Sequence, residues 1–330
     1  MKNVQHIIGA DLAKKSIDLH CHLFKSHFHI DNAESGFELM IQWIEKQQID
    51  LSVTMIVMEH TGLYSYCFEN FLIQRQIKFV KVNALAIKRS IGLVRGKTDQ
   101  IDAARIATYG YEKRNKLAAE VPLENDLKSL QMLYSTRERL VKHRAALTCA
   151  IKEYRHIGIQ EKDLILQSQI KIVKELDKQI ERLETEVKTI IEKQESLKRN
   201  FLLLKSIKGV GNVLALATII KTNNFTRFAN ARKFSCFCGT APFEHTSGTS
   251  IKGKTRVSHL ADKKMKTLLD LSAKSAIQYD KELREYYLKR VELGKSKMST
   301  INIVRNKILY RMFAVIKRQS PFVQDYLQAA

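Results

Sequence analysis

Four acidic residues and one serine-bearing stretch are the parts of this sequence whose residue types and spacing suggest chemistry. Asp11 stands at the end of a first strand-like run, in Gly9-Ala10-Asp11. Glu59 follows the apolar run Leu51 to Met58, in Val57-Met58-Glu59-His60-Thr61-Gly62, where a charge is costly unless something pairs with it. Asp99 and Asp102 lie in Lys97-Thr98-Asp99-Gln100-Ile101-Asp102-Ala103, and a spacing of three puts them one turn apart on one helical face. Like charges so close repel, and a divalent cation relieves the repulsion. Mg²⁺ takes a few carboxylates together with water and phosphate oxygens. Two such ions, roughly 4 Å apart, stabilise the attacking and leaving oxygens of a phosphoryl transfer. Each acid also has a structural reading. Asp99 would itself cap a helix, or Thr98 would cap it with Asp99 in its first turn, and Asp102 would pair with Arg105.

The second feature is Gly239 to Ser250, the most loop-like stretch of the chain. Lys252, Lys254, Arg256, Lys263, Lys264 and Lys266 follow it, with Asp262 as the one acid among them. A serine hydroxyl among cations suits attack on a phosphodiester, because the cations stabilise both the alkoxide and the charged transition state. From composition alone such a stretch is usually only a turn. Gly209-Val210-Gly211 ahead of a helical run resembles a helix-hairpin-helix element, whose backbone N–H groups hold phosphate without reading bases.

The elements that must position these groups can be sketched from periodicity. Val4 to Ala10, Ser16 to Phe24 and Lys25 to Ile30 read as three strands, with Ile17, Leu19, Cys21 and Leu23 sharing one face. A helix over Phe37 to Gln47, a buried strand over Leu51 to Met58, a helix over Leu63 to Gln74, a strand over Ile77 to Val82 and a helix from Thr98 to about Lys113 follow. That is the element order of a ribonuclease H-like α/β domain. From Val173 to Leu204, apolar residues step by three and four, with Gln194 as the polar interruption. This predicts a coiled coil, either between chains or as a hairpin with Leu127 to Tyr154; one long amphipathic helix on its own domain is the other reading. Phe225, Phe228, Phe234 and Phe237 read as core. Lys281 to Arg318 carries 11 Lys+Arg against 3 Glu and reads as a basic helical tail. The expected domains are 1–120, 121–203 and 204–330.

The 330 residues carry 56 Lys+Arg against 34 Asp+Glu, a net charge of +22. That excess argues for a polyanionic partner, most simply a nucleic acid, over an anionic membrane. No apolar run reaches the roughly 18 residues needed to cross a bilayer. Five cysteines without framework spacing suggest reduced, mostly buried thiols in a cytosolic protein. Cys236-x-Cys238 lacks a second pair for zinc.

Taken together, these residues resemble the DEDD-type insertion-sequence transposases, which include pilin-gene invertases and bridge-RNA-guided recombinases. The resemblance rests on Gly9-Ala10-Asp11, Met58-Glu59-His60-Thr61-Gly62, Lys97-Thr98-Asp99-Gln100-Ile101-Asp102-Ala103, Ile207-Lys208-Gly209-Val210-Gly211, Phe228, Gly239-Thr240-Ala241-Pro242 and Ser247-Gly248, in that order. It implies a RuvC-like N-terminal domain, long coiled-coil helices and a mostly helical C-terminal transposase domain. Asp11, Glu59, Asp99 and Asp102 would then bind Mg²⁺, or Mn²⁺ in its place. Ser247 would form a phosphoserine with DNA; Ser250 is the alternative, and Ser247 is preferred because it directly precedes Gly248. Lys97, Gly209, Gly211, Lys252, Lys254, Arg256, Lys263 and Lys264 would contact nucleic acid. Partners would be donor and target DNA, a structured non-coding guide RNA and further copies of the chain, as a dimer or tetramer. Two departures stand out: Lys208 where the family often has Pro, and Ala261-Asp262 where it often has Gly-Asn. A junction endonuclease using metal-activated water, and a non-catalytic nucleic-acid scaffold, are the rival readings.

Overall fold

The structure is a computed structural model. It describes residues 4–92, 96, 98–120, 124–247, 251–258 and 260–323, with backbone alone for 245–247, 251, 252 and 254. The chain forms two compact units, Met1–Pro122 and Leu123–Ala330. Residues 121–203, expected as a region of their own, thus fall almost wholly within the second unit.

The first unit is built on strands β1 (His6–Leu12), β2 (Ser16–Cys21), β3 (Ser26–Asp31), β4 (Thr54–Glu59) and β5 (Phe79–Val82), with helices α1 (Glu34–Lys46), α2 (Tyr66–Gln74), α3 (Ala84–Ile91) and α4 (Asp99–Lys113). The strand order is β3-β2-β1-β4-β5. β1, β2 and β3 pair antiparallel, while β4 and β5 run parallel to β1. This mixed sheet fits a RuvC-like α/β domain. Alternation divides its side chains between two cores. Ile8, Ala10, Leu12, Ile17, Leu19, Ile56 and Met58 pack with α1 and α2. Ile7, Met55, Val57, Val80 and Val82 form the other face, with Ile87 of α3 and Ile106 and Ala107 of α4. Leu23, expected to share the face of Ile17, Leu19 and Cys21, is instead 55% exposed, because β2 ends at Cys21 and the chain turns.

The second unit begins with α5 (Asn125–His156), α6 (Leu164–Lys193), α7 (Glu195–Lys205), α8 (Asn212–Thr222) and α9 (Ala231–Phe237). Strands β6 (Pro242–Ser247) and β7 (Ile251–Val257) follow, then α10 (Lys263–Tyr279), α11 (Lys281–Glu292) and α12 (Lys297–Arg318). α5 and α6 pair as an antiparallel hairpin. Arg137 meets Glu184 at 2.6 Å, and Arg144, further along α5, meets Asp177, earlier on α6, at 2.8 Å. The apolar repeat from Val173 to Leu204 is not one helix. Gln194 has extended backbone between α6 and α7, and its side-chain amide donates to Glu124 at 2.6 Å, so the polar interruption of the repeat marks the end of a helix. Phe234 is buried, with Phe225, Phe228 and Phe237 packed against it in a core shared by α7, α8, α10 and α12. Gly239 to Ser250, expected as a loop, is mostly the approach to a β-hairpin and its first strand; of it, 248–250 lie outside the described residues.

Candidate active site

Parity along the strands decides where the acids of the first unit point. Asp11 shares the β1 face of Ile7 and Gly9, and Glu59 shares the β4 face of Met55 and Val57, so both lie on the side covered by α4. Small residues let that helix come close. A Cβ on Gly9 would meet the carbonyl oxygen of Ala103 at 2.3 Å and the amide nitrogen of Ala107 at 2.4 Å. A Cβ on Gly110 would meet Val57 Cγ2 at 2.6 Å. The approach brings the first turn of α4, with Asp99 and Asp102, to the ends of β1 and β4. Thr98 fixes where that turn begins, its Oγ1 accepting from the Ile101 N–H at 3.2 Å.

The electrostatics register the gathering. Burial pushes the Asp11 carboxyl up to about 6, and Asp102, Asp99, Glu59 and Asp18 add to the push, in that order. Four acids within one another's field suit a divalent cation in charge and in donor chemistry. They are not drawn into a finished ligand shell. Among the described residues no three His, Cys, Asp or Glu side chains stand as a ready metal-holding group. Asp102 Oδ1 accepts from Arg105 at 2.9 Å, and the same guanidinium donates to the Gly96 carbonyl at 3.0 Å. The helix cap and the Asp102–Arg105 pair anticipated as structural readings are therefore both present beside the acidic cluster.

One neighbour was not anticipated. Asp18 lies opposite Asp11 in the β1–β2 register and is buried. It accepts from His27 Nε2 at 2.8 Å and His29 Nδ1 at 3.1 Å. The signal was available: Asp18 and His20 on β2, and His27 and His29 on β3, recur at the two-residue period of one sheet face.

In the second unit, Ser247 is the last residue of β6, its backbone paired with Ile251. Ser250 and Lys97 lie outside the described residues, and Ser247, Lys252 and Lys254 are described by backbone only. Arg256 is exposed on β7, opposite Phe243. Lys263 is exposed at the start of α10, whereas Lys264 Nζ is paired with Glu138 at 2.7 Å. Gly209 and Gly211 differ in role. Gly209 has φ +90°, and a Cβ there would meet the Ser272 carbonyl oxygen at 2.7 Å; Gly211 precedes α8 with open space around it. The departure at Ala261-Asp262 has a local account. Asp262 caps α10, accepting from the Met265 N–H at 3.0 Å, and pairs with Lys221 at 2.9 Å. Burial raises the Asp262 carboxyl, but these bonds outweigh it and hold the group below its ordinary value. The methyl of Ala261 abuts Gly239, where a Cβ would come within 2.3 Å of it.

The strand carrying Ser247 is tied down by a network that periodicity did not reveal. Asn302 and Asn306, one turn apart on α12, both donate to the Thr240 carbonyl at 2.8 Å. Asn306 Oδ1 accepts from the Thr240 hydroxyl at 2.8 Å and from the Ser235 hydroxyl at 2.9 Å. Thr240 and Ser235 are both fully buried. Two polar residues in a basic helix gave no hint of partners more than 60 positions earlier.

Among the described residues the cysteines are free, with Cys21 and Cys238 buried but Cys67 and Cys149 exposed, so the expectation of mostly buried thiols holds for only part of the set. No helix of the described residues is long and apolar enough to cross a membrane.

Comparison with known proteins converges on one group. Residues 8–154 match the model of DEDD transposases of the IS110 type, and residues 202–288 match the transposase IS116/IS110/IS902 family. The pilin gene-inverting proteins of Moraxella bovis and Moraxella lacunata are each 28% identical over 330 residues, spanning 96% of this chain and 97% of the relative.

Proposed function

Because the chain belongs to the DEDD-type IS110 transposases, the group that includes the pilin gene-inverting proteins, and so acts on DNA, we propose that it cuts and rejoins DNA strands through a serine ester with the help of a carboxylate-held divalent cation. Asp11, Glu59, Asp99 and Asp102 would hold Mg²⁺, with Mn²⁺ as a substitute. When bound, the cation supplies charge stabilisation for oxygens of the scissile phosphate. Asp102, which accepts from Arg105 in this structure, would exchange that bond for the cation. Ser247 Oγ forms the bond to phosphorus while the bond to the departing sugar oxygen breaks, and that oxygen takes a proton. Reversal of the step on a new strand end restores the serine and joins the DNA.

The reading extends to partners. The charge of +22 suits a complex that holds a structured guide RNA as well as donor and target duplexes, with base pairing choosing the sites. The guided reading follows the family resemblance, and inversion of a DNA segment, as the relatives' name states of them, is the same chemistry applied within one molecule. Self-association is supported by the far end of the α5–α6 hairpin, where Ile157, Leu164, Ile165 and Ile172 are at least half exposed.

The observation that carries the proposal is that Asp11 and Glu59 share the sheet face covered by α4, which comes within van der Waals reach of Gly9 and bears Asp99 and Asp102 in its first turn. The test is strand cleavage by Asp102→Asn and by wild type in EDTA. Loss of cleavage by at least about a hundredfold, with DNA binding retained, is expected in both. Full activity in either would remove the cation from the mechanism.

A further inference from the structure

Immediately beyond Glu59 the chain exposes side chains that usually seek cover. Leu63 is 73% exposed, Tyr64 49% and Tyr66 41%. They lie on the short 3₁₀ turn Gly62–Ser65 and the first residue of α2. The turn is firmly held. Asn32, between β3 and α1, donates from Nδ2 to the Tyr64 carbonyl and to the Ala13 carbonyl, each at 2.9 Å, and its N–H donates to the Lys15 carbonyl at 2.8 Å. Buried Ser65 bonds the Gly62 carbonyl at 3.1 Å and Glu69 at 2.5 Å. One asparagine thus joins two turns. One carries the exposed rings; the other, between β1 and β2, carries exposed Lys14 and Lys15. The first turn follows Glu59 and the second follows Asp11, so both border the acidic cluster. Asn32 Oδ1 and Thr61 Oγ1 are buried there without a hydrogen-bond partner among the described residues.

We propose that these two turns form a binding site for an unpaired stretch of DNA strand beside the acidic centre, with bases against Leu63, Tyr64 and Tyr66 and phosphates on Lys14 and Lys15. Apolar and aromatic side chains interleaved with cations are what a single strand requires, because each base offers a ring face and each linkage a charge. A paired duplex hides its base faces and would leave the rings without a ligand. Charged side chains are depleted from the cores of protein–protein interfaces, whereas exposed Lys14 and Lys15 beside the patch suit the phosphates of a strand. The rigid hold through Asn32 presents the rings without an ordering cost at binding. The site gives the chain a means of keeping the strand to be cut melted and in place. It rests on the reading that strands are cut at the acidic centre.

The test uses the full chain and an oligothymidine of about 20 nucleotides, beside an abasic strand of the same length. Replacing the thymines with 5-iodouracil and irradiating should crosslink Tyr64 or Tyr66, mapped by mass spectrometry. Leu63→Ser with Tyr64→Ser and Tyr66→Ser, all at exposed positions, should weaken binding of the oligothymidine roughly tenfold and leave the abasic strand unchanged. Asn32→Ala, which keeps the rings but frees the turns, should lower the crosslink yield. Crosslinks that avoid residues 59–66, or equal losses on the two strands, would overturn the proposal. A wild type that cleaves yet shows no ring crosslink sinks this site alone. Cleavage that survives Asp102→Asn sinks the reading of the acidic centre beneath it.

Discussion

At the scale of single residues, Asp11 makes the most direct physical prediction. Its folded pKa of about 6 exceeds the ordinary 3.8, with burial as the main cause and Asp102, Asp99 and Glu59 contributing. The folded state therefore binds the proton more tightly than the unfolded state does. Between the two values stability falls as pH rises, and above about 6 the cost of an ionised Asp11 is fully present. Asp11→Asn should raise the melting temperature by roughly 2–4 °C near neutral pH, with little change well below about pH 4. Added Mg²⁺ should stabilise the wild type at neutral pH and leave Asp11→Asn unmoved. Melting curves of the two proteins that run parallel across the whole pH range would mean that Asp11 does not sit in that field.

At the scale of elements, two contacts position the chemistry. α4 comes this close to β1 because Gly9 has no side chain. Gly9→Ala would drive a methyl into the backbone at Ala103 and Ala107, so it should cost several kcal/mol, of order 3, and separate Asp102 from Asp11. Chemical denaturation would measure the cost, and cleavage should fall with it. In the second unit, Asn306→Leu removes the buried acceptor of the Ser235 hydroxyl and leaves the Thr240 hydroxyl to the Ser235 carbonyl at 3.3 Å, a loss of about 1–3 kcal/mol. Cleavage should fall while DNA affinity stays within about twofold, since α12 would then hold β6 less firmly. A variant that loses stability but cleaves at the wild-type rate would make the network a matter of folding alone.

The same two contacts show what the sequence could and could not disclose. Strand and helix periods are local, so all five strands of the first unit and the acids at their ends were legible as a pattern. α3 is only eight residues long and was not anticipated. The break at Gln194 was hidden because residues on either side of an interhelical kink keep the same apolar spacing. β6 and β7 carry no clean alternation, and their turn residues read as loop. The Asn302–Asn306 clamp depends on pairings across the fold, whereas the Asp18–His27–His29 cluster joins neighbouring strands 9 and 11 positions apart and left its two-residue period in the sequence. The clamp spans more than 60 positions of sequence, and no single window contains both sides of it.

At the scale of the whole molecule, charge and the exposed end of the hairpin bear on the proposed assembly with DNA and with further copies. A chain of +22 should bind DNA with steep salt dependence, losing about a thousandfold in affinity or more between roughly 50 and 200 mM salt. Fluorescence anisotropy would show it, and a flat response would mean that phosphate contacts do not dominate. Leu164→Glu with Ile165→Glu, at the exposed end of α6, should shift the chain toward monomer in light scattering without altering its melting temperature by more than about 2 °C. The central claim concerns a bond, and denaturing-gel trapping of labelled donor DNA measures that bond directly. The account predicts a protein–DNA adduct whose nuclease-trimmed peptide carries the phosphate on Ser247, absent from Ser247→Ala. Cut DNA with no attached protein, or an adduct that persists in Ser247→Ala, would contradict it.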